Sequence, residues 1–147
     1  MLTFNNLGNL GRLANQMFQY ASLKGIARKH GYDYAIPPVD LFGQNDPLVR
    51  GDKLNIYDVF NIDKKNTINV VRNPMLQERM HEFDKELFES CPDNVDLYGY
   101  YQSPKYFDHI KDEIKSDFTF SDEVESLCSE MFETIKDGKK VIALHIR

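Results

Sequence analysis

The stretch Gly11 to Ala21, GRLANQMFQYA, constrains this chain more than any other. It follows a short apolar run, Met1 to Phe4, and opens the first predicted helix. Gly8 and Gly11 let the backbone turn tightly and approach a ligand closely. Asn15 and Gln16 place two amides near the helix start, where free N–H groups and the helix dipole favour an anion. A strand, a glycine turn and a helix with polar side chains at its mouth are the parts of a phosphate or sugar site.

The 147 residues suffice for one domain with a real core. Hydrophobic residues make up 41% and charged residues 28%, a balance that predicts a globular chain rather than a disordered one. The net charge of −5 gives no electrostatic footprint for nucleic acid or an anionic membrane. No apolar run approaches the roughly 18 residues a membrane span needs. The N-terminus shows no basic region followed by an apolar core, so no signal peptide is expected. Cys91 and Cys128 stand in no metal-binding or redox spacing and read as two reduced thiols of a cytosolic protein.

Strands and helices alternate. Leu2 to Asn6 reads as a strand, and a helix is expected from about Asn15 to His30, with Gly31 as its C-cap. Ala21 and Gly25 are small enough to let that helix lie close on a sheet. Tyr32 to Ile36 reads as a second strand, ended by Pro37-Pro38. Residues 37–67 are turn-rich, and their Arg50-Gly51-Asp52 triplet carries no weight as an adhesion motif. Thr67 to Arg72 is β-like, Glu82 to Ser90 fits strand or helix, and Val95 to Tyr101 reads as a strand. Ser103-Pro104 starts a helix with Phe107, Ile110 and Ile114 on one face. Ser121 caps another, whose stripe of Val124, Leu127, Cys128, Met131 and Ile135 reads as core. After Gly138, Lys140 to Ile146 is a β run. This order predicts an α/β layer fold with a mainly parallel sheet.

Gly8-x-x-Gly11-x-x-Ala14 has the wrong spacing for a dinucleotide fingerprint, and no P-loop or nucleophile elbow is present. The four histidines have no metal-ligand spacing, so no metal site is expected. Leu144-His145-Ile146-Arg147 differs. In a strand, His145 and Arg147 share one face. At a strand's carboxyl end they sit where α/β sheets bind ligands, and an arginine there suits a phosphate.

GRLANQMFQYA closely resembles the N-terminal motif of the family 11 glycosyltransferases, the α-1,2-fucosyltransferases, with Ala14 where the family has glycine. Gly99-Tyr100-Tyr101-Gln102-Ser103-Pro104-Lys105-Tyr106-Phe107 resembles the family's mid-chain segment. Leu144-His145-Ile146-Arg147 resembles the opening of its H-x-R-x-x-D motif.

The resemblance implies a GT-B-type enzyme of two Rossmann-like domains facing a cleft. Residues 1–138 would be the N-terminal, acceptor-side domain, and residues 139–147 the first strand of a donor-binding domain. The implied activity is inverting, metal-independent transfer of L-fucose from GDP-fucose to a terminal galactose, with no cofactor. Arg147 and Asn15 would be catalytic, meeting the charge that gathers on the pyrophosphate. His145, Arg147, Gly11, Ala14 and Asn15 would bind the donor. Gln16, Tyr100, Tyr101, Gln102 and Ser103 would form cleft wall, while Phe18, Tyr20 and Phe107 read as core. The implied partners are GDP-fucose and a galactose-terminated glycan, not nucleic acid. The implied location is cytoplasmic, with peripheral membrane association left open. As an N-terminal fragment the chain is expected to be inactive alone. Another fucosyl linkage, or a non-catalytic sugar- or nucleotide-binding remnant, are the alternative readings.

Overall fold

Glycine turn and helix follow the first strand as the sequence requires. The computed structural model describes residues 1–38, 54–69 and 71–144. In it β1 (Leu2–Thr3) leads into α1 (Leu13–His30). Helix α1 ends where Gly31 takes a left-handed conformation, φ 68°. Arg28, Lys29 and His30 fill its last turn, where positive charge complements the dipole. Then come β2 (Tyr34–Ala35), α2 (Ile56–Val59), β3 (Met75–Gln77), α3 (Lys85–Ser90), β4 (Asp96–Tyr98), α4 (Lys111–Asp117) and α5 (Asp122–Lys136).

The strands form one sheet in the order β2-β1-β4-β3, and every pairing is parallel. This α/β arrangement is consistent with a Rossmann-like fold. The Asp96 carboxylate ties the central pair together: it accepts from Thr3 Oγ1 at 2.9 Å and from the Asn5 N–H at 2.8 Å. Leu2, Phe4, Ile36 and Leu97 are buried in the core with Tyr20, Leu23, Ile26 and Ala27 of α1.

Every α1 residue from Gln19 to Ala27 is buried, so this helix is covered on more than its sheet face. Lys24 is among them. Its ammonium pairs with Asp117 of α4 at 2.5 Å, and the Tyr20 hydroxyl donates to the same carboxylate at 2.9 Å. Burial pushes the Tyr20 hydroxyl far above its ordinary pKa, which keeps it a neutral donor. Gly25 does not serve close packing on the sheet as expected. A Cβ there would fall on the Tyr106 carbonyl oxygen, so glycine is needed where the short 3₁₀ segment Pro104–Tyr106 packs on α1.

The described residues of the β-like run Thr67 to Arg72 do not form the third strand. Thr67 makes an isolated bridge to Ile36, and β3 forms later, at Met75–Gln77. The reason is topological. Ile36 exchanges backbone bonds with Asn66 and Ile68 at the β2 edge, and the chain must then cross to the far edge beside β4. Glu82 to Ser90 resolves as helix α3, capped by Asp84, which accepts from the Leu87 N–H at 3.0 Å. The Arg79 guanidinium, bonded to Asp84 at 2.7 and 2.8 Å, holds that carboxyl below its ordinary pKa.

Ser121 caps α5 as expected, accepting from the Val124 N–H at 3.4 Å. The stripe it introduces is not core. Leu127, Met131 and Ile135 are 58%, 56% and 64% exposed, and Cys128 is exposed with them. Amphipathic spacing marks a face that wants covering, but none of the described elements covers it. Lys140 to Leu144 forms no strand, and Leu144 is exposed. His145 to Arg147 and the Arg50-Gly51-Asp52 triplet lie outside the described residues.

The two thiols are therefore chemically distinct. Burial pushes Cys91 up to about 11, and it is the thiolate that reacts. Iodoacetamide at pH 8 is expected to label the folded chain once, on Cys128, with Cys91 modified only after unfolding. Peptide mass mapping checks this; labelling of Cys91 in the native chain would contradict the fold.

Candidate functional site

Ligands of open α/β sheets bind beyond the carboxyl ends of the strands. Here β1 and β4 are neighbours at the centre of the sheet, so the segments leaving them lie side by side. From β1 the chain runs through Asn5–Arg12 into α1; from β4 it runs through Gly99–Ser103.

Two amides on one face of α1 join these segments. Gln19 Nε2 donates to the Leu10 carbonyl and to the Gly99 carbonyl, both at 3.1 Å. Its Oε1 is buried with no hydrogen-bond partner among the described residues. One turn earlier, Asn15 Oδ1 accepts from Gln102 Nε2 at 2.5 Å, across 87 positions of sequence. Gly11 makes room for that arrangement. Its φ is +78°, and a Cβ would fall on the Asn15 side-chain nitrogen. Asn15 thus folds back over Gly11 at the mouth of the helix.

The helix start itself is electropositive. No side chain caps it, and no acidic residue lies in its first turn. Ala14 is exposed there, as is Arg12 at the N-cap position. First-turn N–H groups with no side-chain partner among the described residues, the Asn15 NH₂ and a guanidinium together suit an anionic oxygen.

The β4 segment is held by a residue outside every motif. Glu78 accepts from the Tyr100 N–H at 2.7 Å and from the Tyr101 N–H at 2.9 Å. Its side chain fills the place a Cβ on Gly99 would take, and Gly99 has φ +150°. Tyr101 follows with φ +50°, an uncommon conformation for a bulky residue. Tyr101 is fully buried; its hydroxyl donates to the Leu76 carbonyl at 3.1 Å, and its own carbonyl accepts from Ser22 Oγ at 3.0 Å.

Two expected wall residues therefore take other places. Tyr101 is a core side chain. Gln16 is also buried: its Nε2 donates to the Leu54 carbonyl at 3.3 Å and its Oε1 accepts from the Ile56 N–H at 3.1 Å. It clamps the start of α2 because it sits on a different side of α1 from Asn15. Tyr100 and Gln102 are exposed and Ser103 is half-buried, beside the site. Phe18 and Phe107 pair with each other, ring centroids 6.1 Å apart. His145 and Arg147 lie outside the described residues.

Sequence reasoning missed Gln19 and Glu78. Gln19 was findable, since four residues from Asn15 puts it on the same helical face. Glu78 carried no local signal, because it works through the backbone N–H groups of a distant loop.

Among the described residues no three histidine, cysteine or acidic side chains converge as metal ligands, and no helix is long and apolar enough to cross a membrane. No family model and no solved structure matches the chain. The chain is similar to galactoside alpha-(1,2)-fucosyltransferase 2 of Sus scrofa, at 24% identity over 143 residues. That match covers 94% of the chain and 39% of the relative's length, so the chain spans well under half of the protein it is similar to.

Proposed function

We propose that this chain supplies one wall of the donor site of a galactoside α-1,2-fucosyltransferase. The reaction joins an acceptor galactose hydroxyl oxygen to C1 of fucose. The bond from C1 to the β-phosphate oxygen breaks, GDP leaves with the electron pair, and the hydroxyl proton passes to water or to the departing diphosphate. On this reading the transfer inverts C1 and uses no metal or other cofactor. Residues 1–138 are the acceptor-side domain of a GT-B enzyme, and residues 139–147 open the donor-binding domain.

One observation carries the proposal. Two motifs 87 positions apart, recognised independently in the sequence, meet through Asn15 and Gln102 at the carboxyl ends of β1 and β4. Negative charge develops on the leaving pyrophosphate, and fixed donors aimed at it lower the barrier. Asn15 and the open end of α1 are such donors. Gly11 and Ala14 allow the close approach. Arg147 and His145 join them on the strength of the motif resemblance, and the galactose acceptor rests on the resemblance and on the similar protein.

The test is a donor panel. Full-length protein is expected to transfer fucose from GDP-fucose to a β-galactoside, giving an α-1,2 linkage by product NMR. Preference for a UDP-sugar, or no turnover of GDP-fucose by folded protein, overturns the proposal.

A further inference from the structure

We infer that Gln102 and Glu78 are positioning residues that hold the Asn15 side chain over the mouth of α1. The inference rests on the donor-site reading above and adds residues to it.

An asparagine amide presents an acceptor at one end and two donors at the other, and the two ends have nearly the same shape. A free Asn15 would therefore offer an anion either favourable NH₂ donors or a repulsive carbonyl oxygen. Gln102 holds the side chain in one place. Its Nε2 donates to Asn15 Oδ1 at 2.5 Å, which occupies the acceptor end. The donor end, Nδ2, then lies over Gly11 at the uncapped start of α1.

Gln102 is itself exposed, so its own side chain needs a held backbone. Glu78 provides that. Both of its oxygens are committed to the Tyr100 and Tyr101 N–H groups, at 2.7 and 2.9 Å. Tyr101 is thereby kept at φ +50° immediately before Gln102. Gln19 pins the other side of the loop through the Gly99 carbonyl, at 3.1 Å. The chain of command runs Glu78, then the Tyr100–Tyr101 backbone, then Gln102, then Asn15. Glu78 touches neither Gln102 nor Asn15 through any described hydrogen bond, which makes its influence a distinctive prediction.

The first test is nitrogen-15 NMR of the side-chain amides in this chain. Gln102→Ala, a surface change, is expected to move the Asn15 NH₂ resonances and speed exchange of its amide protons. Glu78→Gln is expected to move the same resonances, because its new NH₂ group faces a backbone N–H where a carboxylate oxygen stood. Retained backbone dispersion shows that each variant is folded; Glu78→Asp serves if Glu78→Gln is not. Unchanged Asn15 resonances in folded variants overturn the inference.

The second test is a double-mutant cycle on binding of inorganic pyrophosphate, followed by the same spectra. Gln102→Ala is expected to weaken binding about 5-fold, the worth of one oriented hydrogen bond. Gln102→Glu should weaken it more, since a carboxylate both repels the anion and invites the wrong end of Asn15. In an Asn15→Ala background Gln102→Ala should have no further effect. An equal loss in both backgrounds overturns the positioning role. If the amide resonances respond as expected but pyrophosphate does not perturb Gly11 to Asn15, the positioning stands and the donor-site reading falls.

Discussion

Replacing Arg147 with lysine in the proposed two-domain enzyme is expected to slow turnover roughly 100- to 1,000-fold, the usual loss when one charge-stabilising donor is removed. Lysine keeps the positive charge but loses the planar fork that grips two phosphate oxygens at once. The reacting group is a pyrophosphate that gains charge as the glycosidic bond breaks, so the loss should fall on kcat more than on KM. Unfolding by urea should be unchanged. Asn15→Ala should cost less, since a neutral donor makes a weaker bond to the same charge. Near-normal turnover in the lysine variant would show that Arg147 does not clamp the leaving group.

The largest stability effect is expected far from the site, at Asp117→Ala. Lys24 is 5% exposed, and its ammonium rests chiefly on the Asp117 carboxylate at 2.5 Å. Removing that partner leaves a buried charge with only Glu113 among the described residues, at 3.5 Å and itself half exposed. Breaking such a pair costs about 3 kcal/mol, a large share of the roughly 5–15 kcal/mol that holds a domain of this size together. The Tyr20 hydroxyl loses its acceptor in the same step. Lys24→Met should cost less, because Asp117 keeps the Tyr20 hydroxyl and is more exposed. The double variant Lys24→Met with Asp117→Leu should recover most of the loss, since well-packed apolar side chains replace buried pairs at little cost. Urea unfolding followed by circular dichroism checks all three. An Asp117→Ala loss below about 0.5 kcal/mol would mean that the pair carries no buried charge.

How much of this was legible in the sequence depends on the range of the interaction. Helix α1, its glycine stop and the Ser121 cap are local, and the sequence reading places them well. The sheet order is not local. Thr67 to Arg72 has β composition, yet the strand forms at Met75–Gln77, because only after crossing the sheet can the chain pair with β4. The stripe on α5 announces an apolar face but cannot say what covers it, so Cys128 reads as core and is found exposed. At the site, adjacent residues divide the work. Asn15 turns toward the Gly99–Ser103 segment and Gln16 turns inward to α2, a distinction the motif hides and helical geometry makes. Tyr101 sits in the same motif as Gln102, but its positive φ sends the ring into the core. Glu78 lies in no motif at all and acts on one through the backbone.

The most direct measurement is titration of this chain with GDP-fucose, followed by calorimetry and by backbone NMR. A site with one wall should bind weakly, with a dissociation constant on the order of millimolar, worth only about 4 kcal/mol. The shifted resonances should cluster at Gly11 to Asn15 and at Gly99 to Ser103. Micromolar binding would mean that this domain carries the donor site alone, and shifts confined to other parts of the molecule would mean that the two motifs meet for structure and not for the donor.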